Sequence, residues 1–498
     1  MLKFLYQPGK FVYSELTSKH IRGTKIITNL DKSLLTTSGN LNRQIVRLAW
    51  PVFLQNLGRS LAVAILDSYW IGKISSEHLA ALAVGTFLSW GAFALGELVP
   101  IGTNALVSQS VGAKDEDSAR HVGTLNLVNS VIWGLLIASV MIPLLPVLYG
   151  FTNLDAPKAV LANEYLFPIL VLLPAIILFE SGSAIFRGHG NTQTPFRLLL
   201  VVFALKIILS PLLIFWFDLG MMGASIATMT SYGSVFLIML VLLKKKGFIT
   251  SVQKKFSKVI KDVKFNWKVT KETIKIGLPL SLEGLAFSFI YIFVSRYVAD
   301  FGTTGLAALG IGHRSEAIPY QVGEAFAITA SIVVGQNIGA GNYDRANKGA
   351  WRVLYLSWIP MTIYGVILFF FPAQIAGIFT TDQSVIETAK VYNMIAAFSI
   401  FFAMSEQIFS GAFAGAGNSL PPLAIYLPVT AMRIPLAAIL APEYGMNGIW
   451  IAIFATSITK GVLIAFWWRL GRWKNRKFAL GKKPDEPVES PIEKFDIH

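Results

Sequence analysis

From Val46 to Trp468 the chain returns repeatedly to long apolar stretches, each close to the ~20 residues that an α-helix needs to cross a ~30 Å hydrocarbon layer. A soluble core does not use so many runs of that length. Of 498 residues, 54% are hydrophobic and 14% charged, and the mean hydropathy is +0.58. A soluble domain carries roughly 25% charged residues, so the polar skin that water requires is missing. Inside a bilayer only helices and closed barrels satisfy every backbone polar group. The length of the runs and their lack of period-2 alternation select helices. The expected fold is therefore an all-α integral membrane protein of twelve transmembrane helices. They are placed at roughly 46–71, 79–107, 122–149, 158–185, 195–217, 221–243, 276–299, 316–337, 351–377, 388–411, 419–441 and 446–468.

Charge orients these spans. The net charge is +15, and the basic residues gather in connections. Between Lys244 and Lys275 there are 11 Lys against Asp262 and Glu272, and Arg469 to Lys483 holds 7 basic residues and no acidic one. Such clusters flank helices on the cytoplasmic side, where anionic lipid holds them; a nucleic-acid partner is not expected. The chain divides into a cytoplasmic N-terminal extension (1–42), a six-helix lobe (43–243), a basic cytoplasmic linker (244–275), a second six-helix lobe (276–468) and a charged cytoplasmic tail (469–498). Both termini are expected in the cytoplasm and the protein in the inner membrane, as a monomer among lipids. No signal peptide is read in residues 1–42, and zero cysteines exclude disulfides and thiolate metal sites.

The two lobes are copies. Pro51 matches Pro279, LAAL at 79–82 recurs at 306–309, and Gly96-Glu97 recurs as Gly323-Glu324. Gln109 and Gly112 match Gln336 and Gly339; Gly188-x-Gly190-Asn191 matches Gly415-x-Gly417-Asn418; Gly220 and Gly223 match Gly445 and Gly448. From Leu79 to Asn191 the offset stays at 227 residues. Six spans separate equivalents, so the halves share one topology, a parallel repeat about the membrane normal with a cleft that rocking can open to either side. That is the architecture of a secondary transporter.

These motifs carry a family resemblance. Pro51 with Asp67-Ser68-x-x-Ile71-Gly72, the LAAL segment, Gln109-x-x-Gly112, and Arg187-Gly188-x-Gly190-Asn191-Thr192 with its second-half copy resemble the multidrug and toxic compound extrusion (MATE) family over about 46–468. The resemblance implies a two-lobed antiporter that exports amphipathic, often cationic compounds in exchange for Na⁺ or H⁺. It also implicates Asp67, at the position of the family's first-helix aspartate, in cation coupling. Glu283, five residues after GLP (277–279), stands where the family often has a coupling acid.

An ionisable group at the bilayer centre costs ~2.5–3.5 kcal/mol on insertion scales, so each faces a partner or a water-filled cavity. The candidates are Arg59, Asp67, Glu97, Glu180, Lys206, Glu283, Arg296, Glu324, Glu406 and Arg433. Lys206 and Ser210 replace the Asn and Asp that many family members carry on the fifth helix, which puts a Na⁺ site beside Asp67 in doubt. Asp67 and Lys206 form either a fixed ion pair or one that opens when protons or substrate arrive. Arg433 follows Lys206 by 227 residues and calls for carboxylates, with Glu283, Glu324 and Glu406 the second-half supply. Glu97 and Glu324 are repeat equivalents with a shared structural role expected. Trp90, Phe93 and Tyr320 could line a cleft for a cationic substrate by cation–π contact.

No phosphate loop, nucleophile elbow or zinc-peptidase motif is present, and the six His form no ligand pattern. Neither enzyme activity, a metal nor a cofactor is expected beyond a transported H⁺ or Na⁺. The competing reading is a flippase for a lipid-linked saccharide or lipid precursor, to which Arg59, Lys206, Arg296 and Arg433 give some force. A membrane scaffold or enzyme fits less well.

Overall fold

Seventeen helices and almost nothing else make up the described residues, which in this computed structural model are 35–61, 66–151, 155–250 and 266–475. Most of the expected N-terminal extension and of the C-terminal tail lies outside them, as do residues 251–265 of the linker and 62–65 of the first span. The first half holds α1 Leu41–Leu61, α2 Ser68–Gly72, α3 Ser76–Gly96, α4 Leu98–Gly112, α5 Glu116–Phe151, α6 Ala156–Val171, α7 Leu173–Gly188, α8 Gln193–Pro211 and α9 Gly220–Lys245. The second holds α10 Trp267–Ala299, α11 Gly302–Gly339, α12 Tyr343–Phe370, α13 Pro372–Gly377, α14 Gln383–Gly415, α15 Leu420–Ala431, α16 Arg433–Tyr444 and α17 Met446–Arg469.

Ten stretches are long and apolar enough to cross a bilayer, and α6 with α7, bent by 49°, makes an eleventh. α1 and α2 occupy the remaining expected span. Arg43, Arg47, Gln55, Asn56 and Arg59 keep α1 more polar than the rest. The eighth span begins at Gly302 rather than at 316. Its first turns contain His313, Arg314 and Glu316, which break the apolar run without breaking the helix.

The repeated motifs now have physical meanings. Gly190 and Gly417 take φ of 79° and 75°, the left-handed conformation that closes a helix at low cost only with glycine. Asn191 N–H then donates to Phe186 O, and Asn418 N–H to Phe413 O. The earlier glycine of each motif is a packing residue: a β-carbon on Gly188 would press on Val107, and one on Gly415 on Ser331. With no hydrophobic drive between helices in lipid, close backbone approach at small residues is what holds them.

The first helix of each half crosses between lobes. Ile45 and Leu48 of α1 sit in one apolar cluster with Val333, Ala346 and Phe409 of the second half. Farther along, Gly58 meets Phe203 of α8, and Asp67 meets Lys206 and Tyr165 of the first half. α10 does the same in reverse. Val269 and Ile276 pack with Val107, Phe186 and Val235, whereas Tyr291 and Val294 pack with Tyr392 and Trp450 of their own half.

Candidate functional site

The cleft is sealed at the end where α4 and α11 terminate. A β-carbon on Gly112 would land on the carbonyl of Gln336, and one on Gly339 on the carbonyl of Gln109. Gln109 Nε2 donates to Gly415 O (2.7 Å), and Gln336 Nε2 donates to Gly188 O (3.0 Å). Asn104 Nδ2 donates to Ser331 Oγ, its own repeat equivalent, across 3.1 Å. The seal is thus two-fold symmetric and made of the repeat motifs. Thr36 closes over it, its N–H and Oγ1 both donating to Gln336 Oε1 (2.8 and 2.9 Å), while Leu35 packs against the first-half core.

Between the lobes, away from this seal, Arg59 sits among three carboxylates. Its Nη1 lies 3.3 Å from Glu97 Oε1 and 3.5 Å from Glu180 Oε1, and its Nη2 lies 3.4 Å from Glu324 Oε1. Arg187 reaches Glu180 Oε2 at 3.7 Å. Two guanidinium groups against three carboxylates leave a formal excess of one negative charge. Arg59, Glu97 and Glu324 keep side-chain exposures of 33%, 33% and 27%, so this acidic cluster meets the cleft. Its position explains why Glu97 and Glu324, equivalent in the repeat, converge on one partner.

A second cluster lies in the first lobe. Lys206 Nζ donates to Asp67 Oδ2 at 2.9 Å, and Tyr165 OH donates to the same oxygen at 3.2 Å. Both charged side chains are fully enclosed, and Asp67 Oδ1 accepts no hydrogen bond.

The second lobe departs from expectation. Arg433, buried, has no carboxylate within ion-pair distance among the described residues. It donates instead to three hydroxyls, Thr456 Oγ1 (2.8 Å), Tyr291 (3.1 Å) and Ser457 Oγ (2.8 Å). The carboxylates expected to serve it are otherwise placed. Glu324 goes to Arg59, and Glu406 accepts from Lys460 Nζ at 2.9 Å. Glu283 is half-buried, with Oε1 enclosed and lacking a hydrogen bond. Arg296 belongs to none of these clusters: it is exposed in the last turn of α10. Lys460, and Glu316 with its 3.0 Å bond from Tyr392 OH, were absent from the sequence-level candidates, although both stand inside predicted spans and a scan for every ionisable residue finds them.

Of the aromatic candidates, Tyr320 lies one helical turn before Glu324 on α11 and is 52% exposed. Trp90 is 57% exposed on α3, beside Gly91, which faces Leu285 of α10. Phe93 packs against the first-half core.

Two helical lobes related by an internal repeat, meeting at a symmetric seal with charged groups between them, define a membrane transporter. The chain belongs to the MatE family, whose signature matches residues 51–212 and 279–439. It is 24% identical over 445 residues to the "Probable multidrug resistance protein NorM" of Thermotoga maritima, covering 88% of this chain and 94% of that one. It is 25% identical over 408 residues to the "Multidrug export protein MepA" of Staphylococcus aureus, covering 80% and 87%. Among solved structures it resembles a MOP superfamily transporter of Pyrococcus furiosus (TM-score 0.81, 21% identity, 89% and 99% covered). A Vibrio cholerae MATE transporter, VcmN, gives a TM-score of 0.79 at 21% identity, with 89% and 99% covered.

Proposed function

We propose that this protein is a secondary antiporter exporting amphipathic, cationic compounds across the cytoplasmic membrane, driven by a proton gradient, and acting as a monomer with both termini and the 244–275 connection in the cytoplasm. The observation that carries the reading is the cluster of Arg59, Glu97 and Glu324, each about one-third exposed or less, with buried Glu180, net acidic, between lobes sealed at one end. Surplus negative charge in a partly desolvated cleft favours a positively charged occupant. The names of the similar proteins from Thermotoga maritima and Staphylococcus aureus, a multidrug resistance protein and a multidrug export protein, support drug export as the activity.

Protons are favoured over Na⁺ for a geometric reason. A hard cation needs several oxygen ligands, and Lys206 occupies the space beside Asp67 where one would sit. A proton needs a single oxygen, which both Asp67 Oδ1 and Glu283 Oε1 offer. Export of a cationic compound is favoured over a flippase for a lipid-linked precursor, because the basic residues that could bind a pyrophosphate are engaged by carboxylates (Arg59, Lys206) or hydroxyls (Arg433), or lie at a helix end (Arg296). The test is efflux of a fluorescent cationic dye from proteoliposomes with pH and Na⁺ gradients imposed separately. Efflux that follows Na⁺ and ignores pH overturns the coupling; failure to move any cationic dye overturns the cargo class.

A further inference from the structure

Arg59 occupies the one place where α1 passes from the packing of one lobe to that of the other. Before it, Ile45 and Leu48 belong to the second-half core; after it, Asp67 is tied to Lys206 of the first half. Its three carboxylates divide the same way. Glu97 and Glu180 stand on α3–α4 and α7 of the first half, and Glu324 on α11 of the second. Each N–O distance, 3.3 to 3.5 Å, exceeds the about 2.7–2.9 Å of a committed charge-assisted hydrogen bond. One guanidinium is therefore shared rather than fixed. Losing Glu324 would leave Arg59 with two carboxylates, so the contact can break without stranding a buried charge, the event that makes most buried pairs costly to open. Beside it, Gln321 Nε2 donates to Ser60 Oγ, a neutral contact across the same boundary.

We propose that Arg59 is an interlobe latch: its contact with Glu324 holds the lobes in the arrangement seen here, and Glu97 with Glu180 retain the guanidinium when the lobes part. This does not depend on which compound or ion is carried. Loss of the partner across the cleft must then free the lobes, whereas loss of a partner on its own lobe leaves them held.

Because the chain contains no cysteine, spin labels can be placed cleanly at Ser76→Cys and Thr303→Cys, exposed equivalents at the outer ends of α3 and α11. Interlobe distances are measured by electron–electron double resonance in nanodiscs. Glu324→Gln is expected to add a second distance population, while Glu97→Gln keeps the original one, with thermal midpoints recorded for both. An unchanged distribution in Glu324→Gln, or an equal shift in Glu97→Gln, overturns the latch. In a separate background, Ser60→Cys with Gln321→Cys should, once oxidised, arrest dye transport at least tenfold and release it on reduction. Full-rate transport by the oxidised protein would equally overturn it, even if a glutamate variant failed to fold.

Discussion

Lys206 Nζ lies 2.9 Å from Oδ2 of Asp67, and both side chains are enclosed to 2% exposure or less. A buried ion pair is weak ground for stability but strong ground for dependence: removing one partner strands the other. What this pair fixes is the far end of the first span against α8 and, through Tyr165, against α6.

Asp67→Asn should therefore lower the stability of the detergent-solubilised protein by about 3–5 kcal/mol, measured as loss of thermal or denaturant resistance. Adding Lys206→Asn should recover most of that loss. If the two losses simply add, the residues are independent and the pair holds nothing.

Glu283 is the carboxylate with an enclosed oxygen and no cation at ion-pair distance among the described residues. Glu283→Gln keeps its shape and removes its ability to exchange a proton. Dye efflux driven by an imposed pH difference should fall at least tenfold in this variant while dye binding persists. Retained pH-driven efflux would move the titrating role to Asp67 or to the Arg59 cluster.

The symmetric seal allows a matched comparison among glycines. Gly112→Ala and Gly339→Ala each drive a methyl into backbone, an overpacking that costs about 1–3 kcal/mol, and should depress both melting temperature and transport. Gly310→Ala, on the same helix as Gly339 but facing open space, should be neutral or stabilising by up to about 1 kcal/mol through helix propensity. Similar losses at all three positions would show that the seal is not special.

Sidedness follows from charge. Lys246→Cys and Glu77→Cys, both exposed and at opposite ends of their helices, should react from opposite faces of the membrane, with an impermeant reagent added outside whole cells labelling only Glu77→Cys. Labelling of both from outside would reject the orientation.

Span number, the repeat and the two lobes were legible because each rests on a one-dimensional quantity: run length, or a constant offset of 227. The ionic sites were legible only in part. Asp67 and Lys206 could be weighed as a pair because each stands at a marked place in its span. The partners of Arg433 could not, because hydroxyls such as Thr456 and Ser457 carry no charge to betray them. The convergence of Glu97, Glu180 and Glu324 on Arg59 depends on how four helices are rotated about their axes, which hydropathy leaves open. The eighth span starts earlier than expected, because His313, Arg314 and Glu316 break the apolar run while the helix continues through them from Gly302.

The exchange of α1 and α10 makes the halves interdependent during assembly. The second-half core lacks Ile45 and Leu48 until the first helix of the chain reaches it, and the first-half core lacks Val269 and Ile276 until α10 has been synthesised. Neither half can finish packing on its own as it leaves the ribosome. A chain severed between Thr250 and Asn266 would yield two fragments, each missing one helix of its interior and each carrying the helix that the other needs. Such fragments complement one another only when inserted into the same membrane.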